Sequence, residues 1–219
     1  MPIQMVNRTI VFAAITGFIS VCALTIWILS PLPEVNPPDL YVSDEIPDGS
    51  KSEWDSWNRG ILTRFGELPM RSARFDQSEC YRLILMPSFH HPILVQAART
   101  QNGFDLMTKF LDGAGGYEIG KLSNSRHRVM TEPEWQHLLD LFDELHYWSV
   151  PTVDLRDEPV NDGAIWMLQA KREGLIHDVY RITPKGRFLE TYKYFLQLAD
   201  SEQDYLGYLP KLERSPTPN

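Results

Sequence analysis

Three stretches decide how this chain folds: Tyr81-Arg82-Leu83-Ile84-Leu85-Met86, Ile93-Leu94-Val95-Gln96-Ala97-Ala98-Arg99-Thr100 and Phe104-Asp105-Leu106-Met107-Thr108-Lys109-Phe110-Leu111-Asp112. Each is strand-length and rich in residues that suit a pleated surface, and turn chemistry separates them. Pro87 to Pro92 makes the first connection, and Gln101-Asn102-Gly103 makes the second as an Asn-Gly hairpin turn. In the third stretch Phe104, Leu106, Thr108 and Phe110 share one face while Asp105 and Lys109 take the other, the pattern of a half-buried strand. Strands joined by connections this short pair antiparallel.

Outward from this centre the pattern changes period. Towards the N-terminus, Ser52 is a candidate N-cap for a short amphipathic helix carrying Trp54, Trp57, Ile61, Leu62 and Phe65. Towards the C-terminus, a glycine loop leads to a weaker strand near Arg126 to Met130. Thr131-Glu132-Pro133-Glu134 then reads as a capping box with proline in the first turn, and Trp135, Leu138, Leu139, Phe142 and Leu145 follow at helical spacing. Ala164 to Lys171 and Leu175 to Ile182 flank Arg172-Glu173-Gly174 as a second hairpin. Thr183-Pro184 opens a helix with Phe188, Tyr192, Phe195 and Leu196 on its apolar stripe. The expected fold is α+β: an antiparallel sheet of about six strands with helices packed on one face.

Upstream of this domain, Thr9 to Leu29 holds no charged residue over 21 positions. At ~1.5 Å per residue that is a helix of about 31 Å, the thickness of a bilayer's hydrocarbon core. Arg8 precedes the run, and Glu34, Asp39, Asp44, Glu45 and Asp48 follow it before the first lysine at Lys51. The basic-residue bias puts the N-terminus in the cytoplasm and the rest outside, with Trp27 at the interface. A cleaved signal peptide has a shorter apolar core and a small-x-small cleavage site, which Ile28-Leu29-Ser30-Pro31 does not supply. Ile19-Ser20-Val21-Cys22 approaches a lipid-attachment box, but Val21 stands where a small residue is required. The expectation is a single-pass signal anchor in the inner membrane and an extracytoplasmic C-terminal domain. Ala13, Thr16, Gly17 and Ser20 line one face of the run, as a stripe for weak dimerisation through Ala13, Gly17 and Ser20 would. Small residues are also common in membrane helices generally, and that plain reading is preferred.

The expected organisation is a cytoplasmic N-terminus (1–8), a transmembrane helix (9–29), a proline-rich acidic stalk (30–50), a domain of 158 residues (51–208) and a disordered tail (209–219). Arg8 is the only basic residue before Pro31, which leaves 20 of the 21 basic residues against all 29 acidic ones, a net charge of −9. Such a surface repels phosphate backbones, so nucleic acid is excluded as a partner. Cys22 lies in the apolar run and Cys80 in the domain, so no intrachain disulfide is expected, and no cofactor or metal is called for.

Candidate chemistry is sparse. Gly115-Gly116-Tyr117-Glu118-Ile119-Gly120-Lys121 fits seven positions of a Walker A loop, but Leu122 replaces the magnesium-binding hydroxyl and Ser123-Asn124-Ser125 does not open a helix. The plain reading is that Gly113, Gly115 and Gly116 supply positive-φ turns beside Lys121. His90-His91-Pro92 sits in a strand connection; neighbouring side chains of an extended segment diverge, so turn histidines bonded to backbone are preferred over metal ligands or acid-base groups. Asp154, Asp157, Glu158 and Asp162 cluster without the calcium-loop spacing, and Asp162-Gly163 reads as a turn into a strand. Trp135 and Trp166 lie on apolar faces, whereas Trp54, Trp57 and Trp148 are candidates for a partner surface.

Phe89-His90-His91-Pro92, Gly115-Gly116-Tyr117-x-x-Gly120-Lys121-Leu122 and Asp162-Gly163-Ala164-x-Trp166-x-Leu168 resemble recurring blocks of uncharacterised bacterial membrane-anchored proteins, over roughly residues 80 to 198. The resemblance implies a bacterial envelope setting and carries no activity and no catalytic residues. Three functions fit. The first is a non-catalytic binding or structural domain, tethered outside the membrane, for another protein or an envelope component. The second is an envelope hydrolase using His90 or His91 with an acidic partner such as Asp162. The third is an immunity or inhibitor protein.

Overall fold

The computed structural model describes residues 48–116, 118–154 and 162–208. The segments expected to be the cytoplasmic start, the membrane anchor with Ala13, Gly17 and Ser20, the stalk up to residue 47 and the tail lie outside the described residues, as do Asp157, Glu158 and the side chain of Trp54. Among the described residues no helix is long and apolar enough to cross a membrane.

The described elements are α1 (Asp48–Arg64), β1 (Cys80–Pro87), β2 (Ile93–Thr100), β3 (Gly103–Leu111), β4 (Leu122–Met130), α2 (Glu132–Glu144), β5 (Ala164–Arg172), β6 (Leu175–Arg181), α3 (Arg187–Leu198) and a single turn α4 (Glu202–Tyr205). The strands form one six-stranded sheet in the order β4-β3-β2-β1-β5-β6, antiparallel at every neighbouring pair. The chain runs outward from β1 to the β4 edge, returns through α2 and lays β5 against the free side of β1. The fold is α+β.

The helices do not share one face. Leu83, Leu85, Val95, Leu106 and Leu168 pack with α2 and α3, while the alternate residues Ile84, Met86, Leu94 and Met167 pack with Trp57, Ile61, Leu62 and Phe65 of and just after α1. The expectation of one covered face is thus corrected. Strand side chains alternate between faces, so the unbroken run Leu83-Ile84-Leu85-Met86 needs apolar cover on both sides, and all eight residues of β1 are buried.

Local chemistry sets the element ends. Thr131 caps α2, and Glu134 reaches back to the Thr131 backbone N–H at 2.7 Å, completing the capping box. Trp135 then stacks on Phe104 with ring centroids 4.7 Å apart. α1 starts at Asp48, inside the stretch read as stalk, so Ser52 is a helical residue and not the N-cap. It ends in a Schellman turn: Glu67 N–H donates to Leu62 O and Gly66 N–H to Thr63 O, with Gly66 at φ +67°. α3 begins at Arg187, after Gly186, and not at Thr183-Pro184. Thr100 faces Gly103 across a loop of Gln101 and Asn102, so Gly103 opens β3 and the Asn-Gly pair is not itself the turn centre. Glu173 and Gly174 both adopt positive φ, the backbone of a type I′ hairpin turn.

Candidate functional site

Asn58 and Arg59 of α1, Pro69 to Ser72 beyond it, Gln169 of β5 and Ile176 and Asp178 of β6 line a cleft of about 430 Å³ on the α1 face of the sheet. That is within the range of small-molecule sites. Two features of the sequence build it. The Schellman turn sends Glu67, Leu68 and the Pro69–Ser72 segment back over the sheet. Sheet register then supplies the floor: Gln96, Arg82, Gln169 and Asp178 are successive cross-strand partners on β2, β1, β5 and β6, one polar row across four strands.

Arg82 organises this row. Its side chain is fully buried, and its Nε donates to Gln96 Oε1 at 2.8 Å, its Nη1 to Gln169 Oε1 at 3.2 Å, and both terminal nitrogens to Leu68 O. Glu67 lies 3.6 Å from the guanidinium and also accepts from Lys109 Nζ, which donates to Phe65 O as well. Lys109, expected on the open face of a half-buried strand, is therefore buried under the Schellman turn. Burial draws the Arg82 pKa down from its ordinary value, and Glu67 and Asp178 oppose that shift. Burial also pushes the Cys80 thiol, next but one on the same face, up to about 12, so it stays protonated and unreactive at neutral pH.

The cleft's polar groups divide cleanly. Asp178 pairs with Arg71 at 3.1 Å. The Arg59 side chain makes no ion pair among the described residues. The Asn58 amide nitrogen lies 3.4 Å from the Tyr180 hydroxyl, while its Oδ1 is buried without a hydrogen-bond partner among the described residues. Nothing in the sequence reading singled out Arg82, Gln96 or Gln169. The signal was present in each case as one polar residue inside an apolar strand-length run.

The histidine loop lies at one end of the sheet. The His91 Nδ1 stands 2.9 Å from Gly113 O; a carbonyl only accepts, so Nδ1 carries the proton and donates. The His91 carbonyl accepts from Tyr205 Oη at 2.8 Å. The His90 ring packs edge-on against Tyr205 and His91, with centroids 4.7 and 5.3 Å away. Gly163 O accepts from Ser88 N–H at 2.9 Å, which places the exposed Asp162-Gly163 turn alongside the same loop. No hydrogen bond or ion pair joins Asp162 to either imidazole among the described residues. The loop is a junction that ties together the glycine loop, α4 and the entry to β5. Among the described residues no three His, Cys, Asp or Glu side chains gather as metal ligands would.

The glycine loop closes through Asp112 N–H to Lys121 O and Lys121 N–H to Asp112 Oδ1. Lys121 passes straight into β4, so no helix N-terminus faces a phosphate. Gly115 and Gly120 have φ of +67° and +78°; Gly113 and Gly116 do not have positive φ, which corrects the expectation for those two. Gly113 and Gly115 are required for another reason, because a Cβ at either would meet backbone oxygen at 2.0 and 1.6 Å. Trp57 is buried, so it is not available to a partner. Trp148 is half-buried against Tyr147 and the main core. Trp135 and Trp166 are core residues.

No family model matches the chain, and no curated protein matches it.

Proposed function

We propose that this protein is a non-catalytic ligand-binding domain held outside the inner membrane by its N-terminal segment. The observation that carries this reading is the cleft beside the polar row. Its floor residue Gln169 is held by the buried Arg82, and the rim offers a cation and an ion pair around one small space. Side chains fixed in this way recognise a ligand without first having to be ordered, which reduces the entropic cost of association. The hydrolase reading would need an imidazole aligned with a carboxylate. Instead His91 has its Nδ1 engaged by Gly113 and His90 is packed among aromatic rings. The uncharged run Thr9–Leu29 and the basic-residue bias around it support the tether and its direction.

Native mass spectrometry of the full-length protein, released from its own membrane in mild detergent, tests the binding reading. A small-molecule adduct should be present in the wild type, lost from Gln169→Leu and Arg59→Ala, and retained in His90→Ala/His91→Ala. An adduct that depends on the histidines and ignores the cleft would refute it.

A further inference from the structure

Among the described residues the sheet has one open edge, at β4. We propose that this edge is a docking site for an extended acidic segment of another protein, which adds as a seventh strand. The opposite edge, β6, is covered: Tyr180 N–H donates to Thr152 O at 2.7 Å, and Val153 bridges Tyr180. β4 has no such neighbour among the described residues, and the first six of its nine residues are exposed. An open edge is a template for another chain, and proteins usually blunt it with proline, short length or bulges. β4 contains no proline, and its register to β3 shifts only at Phe110/Leu111, so Asn124 to Met130 is a regular, open stretch.

Ladder alternation fixes which backbone groups are on offer. Leu111 N–H donates to Pro92 O, on the β2 side, and Asp112 N–H donates to Lys121 O, on the β4 side. Successive residues of a strand bond to opposite neighbours. Phe104, Leu106, Thr108 and Phe110 therefore bond to Met130, Arg128, Arg126 and Asn124, while Ser125, His127 and Val129 direct their N–H and C=O groups outward. The side chains beside these groups carry one sign of charge. β4 holds Arg126, His127 and Arg128 and no acid, on a chain of formal charge −8. Arg128 pairs with Glu134 and His127 lies 3.4 Å from Asp105, but Arg126 and the adjoining Lys121 make no ion pair among the described residues. A second copy does not suit this edge. Two-fold pairing centred on His127 would set Arg126 opposite Arg128, and pairing centred on Arg126 would set that residue opposite itself. A strand with acidic side chains on the Arg126 and Arg128 face, and apolar ones on the face of Val129, which is 65% exposed, matches both sides.

Fluorescence anisotropy of the full-length protein in mild detergent tests this with fluorescein-labelled Val-Glu-Val-Glu-Val-Glu-Val-amide. The peptide should bind saturably and at least about tenfold more tightly than its Gln-for-Glu counterpart, and Arg126→Glu should abolish that preference. Site-resolved hydrogen exchange should slow at Ser125, His127 and Val129 when it binds. Backbone pairing separates strand addition from plain charge attraction. With its glutamates on the arginine face, the peptide's valine N–H groups point at β4, so N-methylation of the valines should abolish binding and N-methylation of the glutamates should not. His127→Pro removes an outward N–H without breaking the β3 ladder and should also abolish binding; if that variant does not fold, the methylated peptides on the wild type decide. No saturable binding, equal affinity for the Glu and Gln peptides, tolerance of valine methylation, or retained binding in folded His127→Pro would overturn the proposal. Protection of the Ser125, His127 and Val129 amides in the protein alone would also overturn it, since a second copy or another segment of the chain would then occupy the edge.

Discussion

Arg82 and Gln169 face each other across β1 and β5, and the buried guanidinium of the first holds the amide oxygen of the second 3.2 Å from its Nη1. This bond couples the core to the cleft, because Gln169 lines it. Removing the cation should affect stability before anything else. Arg82→Met would strip donors from Gln96, Gln169 and Leu68 O and leave Glu67 with Lys109 alone, at a cost of about 3–5 kcal/mol. Urea unfolding should show this as a lowered midpoint, and Arg82→Lys should fall short of wild type, since an ammonium cannot fork between two glutamines. A change below about 1 kcal/mol would mean the row is not structural.

The glycine loop separates two explanations of its composition. Gly115 combines φ of +67° with Pro87 O at 1.6 Å from any added Cβ, whereas a Cβ on Gly116 meets its nearest neighbour at 3.7 Å. Gly115→Ala should therefore cost more than about 2 kcal/mol and Gly116→Ala less than about 0.5 kcal/mol in thermal melts. Equal effects would show that the loop follows another path.

Glu134 provides a pH signature. The Arg128 hydrogen bond, with help from Thr131, holds its carboxyl at about 2 against an ordinary 4.5. A depressed folded-state pKa contributes stability that is complete above 4.5 and lost as pH falls through about 2. The side chain is 30% exposed, so solvent screening keeps the contribution below about 1 kcal/mol. Wild type should lose this increment between those limits, and Glu134→Gln should show a correspondingly flatter stability profile there.

Much of the architecture is legible in the residues. Thr131-Glu132-Pro133-Glu134 specifies a helix start through bonds made within four residues, and the three stretches from Tyr81 to Asp112 specify an antiparallel meander through alternation and short turns. What requires structure is non-local. Pairing β5 with β1 aligns Arg82 with Gln169, and no local pattern fixes that register. The second covered face was announced by the unbroken Leu83-Ile84-Leu85-Met86, but which helix would cover it depended on the path after Gly66. The same holds for the glycines: a Gly-rich run announces a turn, and only the crossing over Pro87 decides that Gly115, not Gly116, is under positive-φ constraint.

The Walker-like loop yields a negative prediction. Lys121 is exposed, donates its backbone N–H to Asp112 and leads into a strand. Lys121→Ala should cost less than about 0.5 kcal/mol, and titration with ATP and magnesium should give no binding heat in either form. Micromolar ATP binding abolished by Lys121→Ala would make this loop a phosphate site.

The proposed tether places the domain on one side of the membrane, and a protease added to cells with a permeabilised outer barrier tests this directly. The expected result is digestion of residues 31–219, with the full-length chain resisting carbonate extraction before protease is added. A protected C-terminal domain would contradict the extracytoplasmic placement, and a mature N-terminus beyond Leu29 would contradict the anchor.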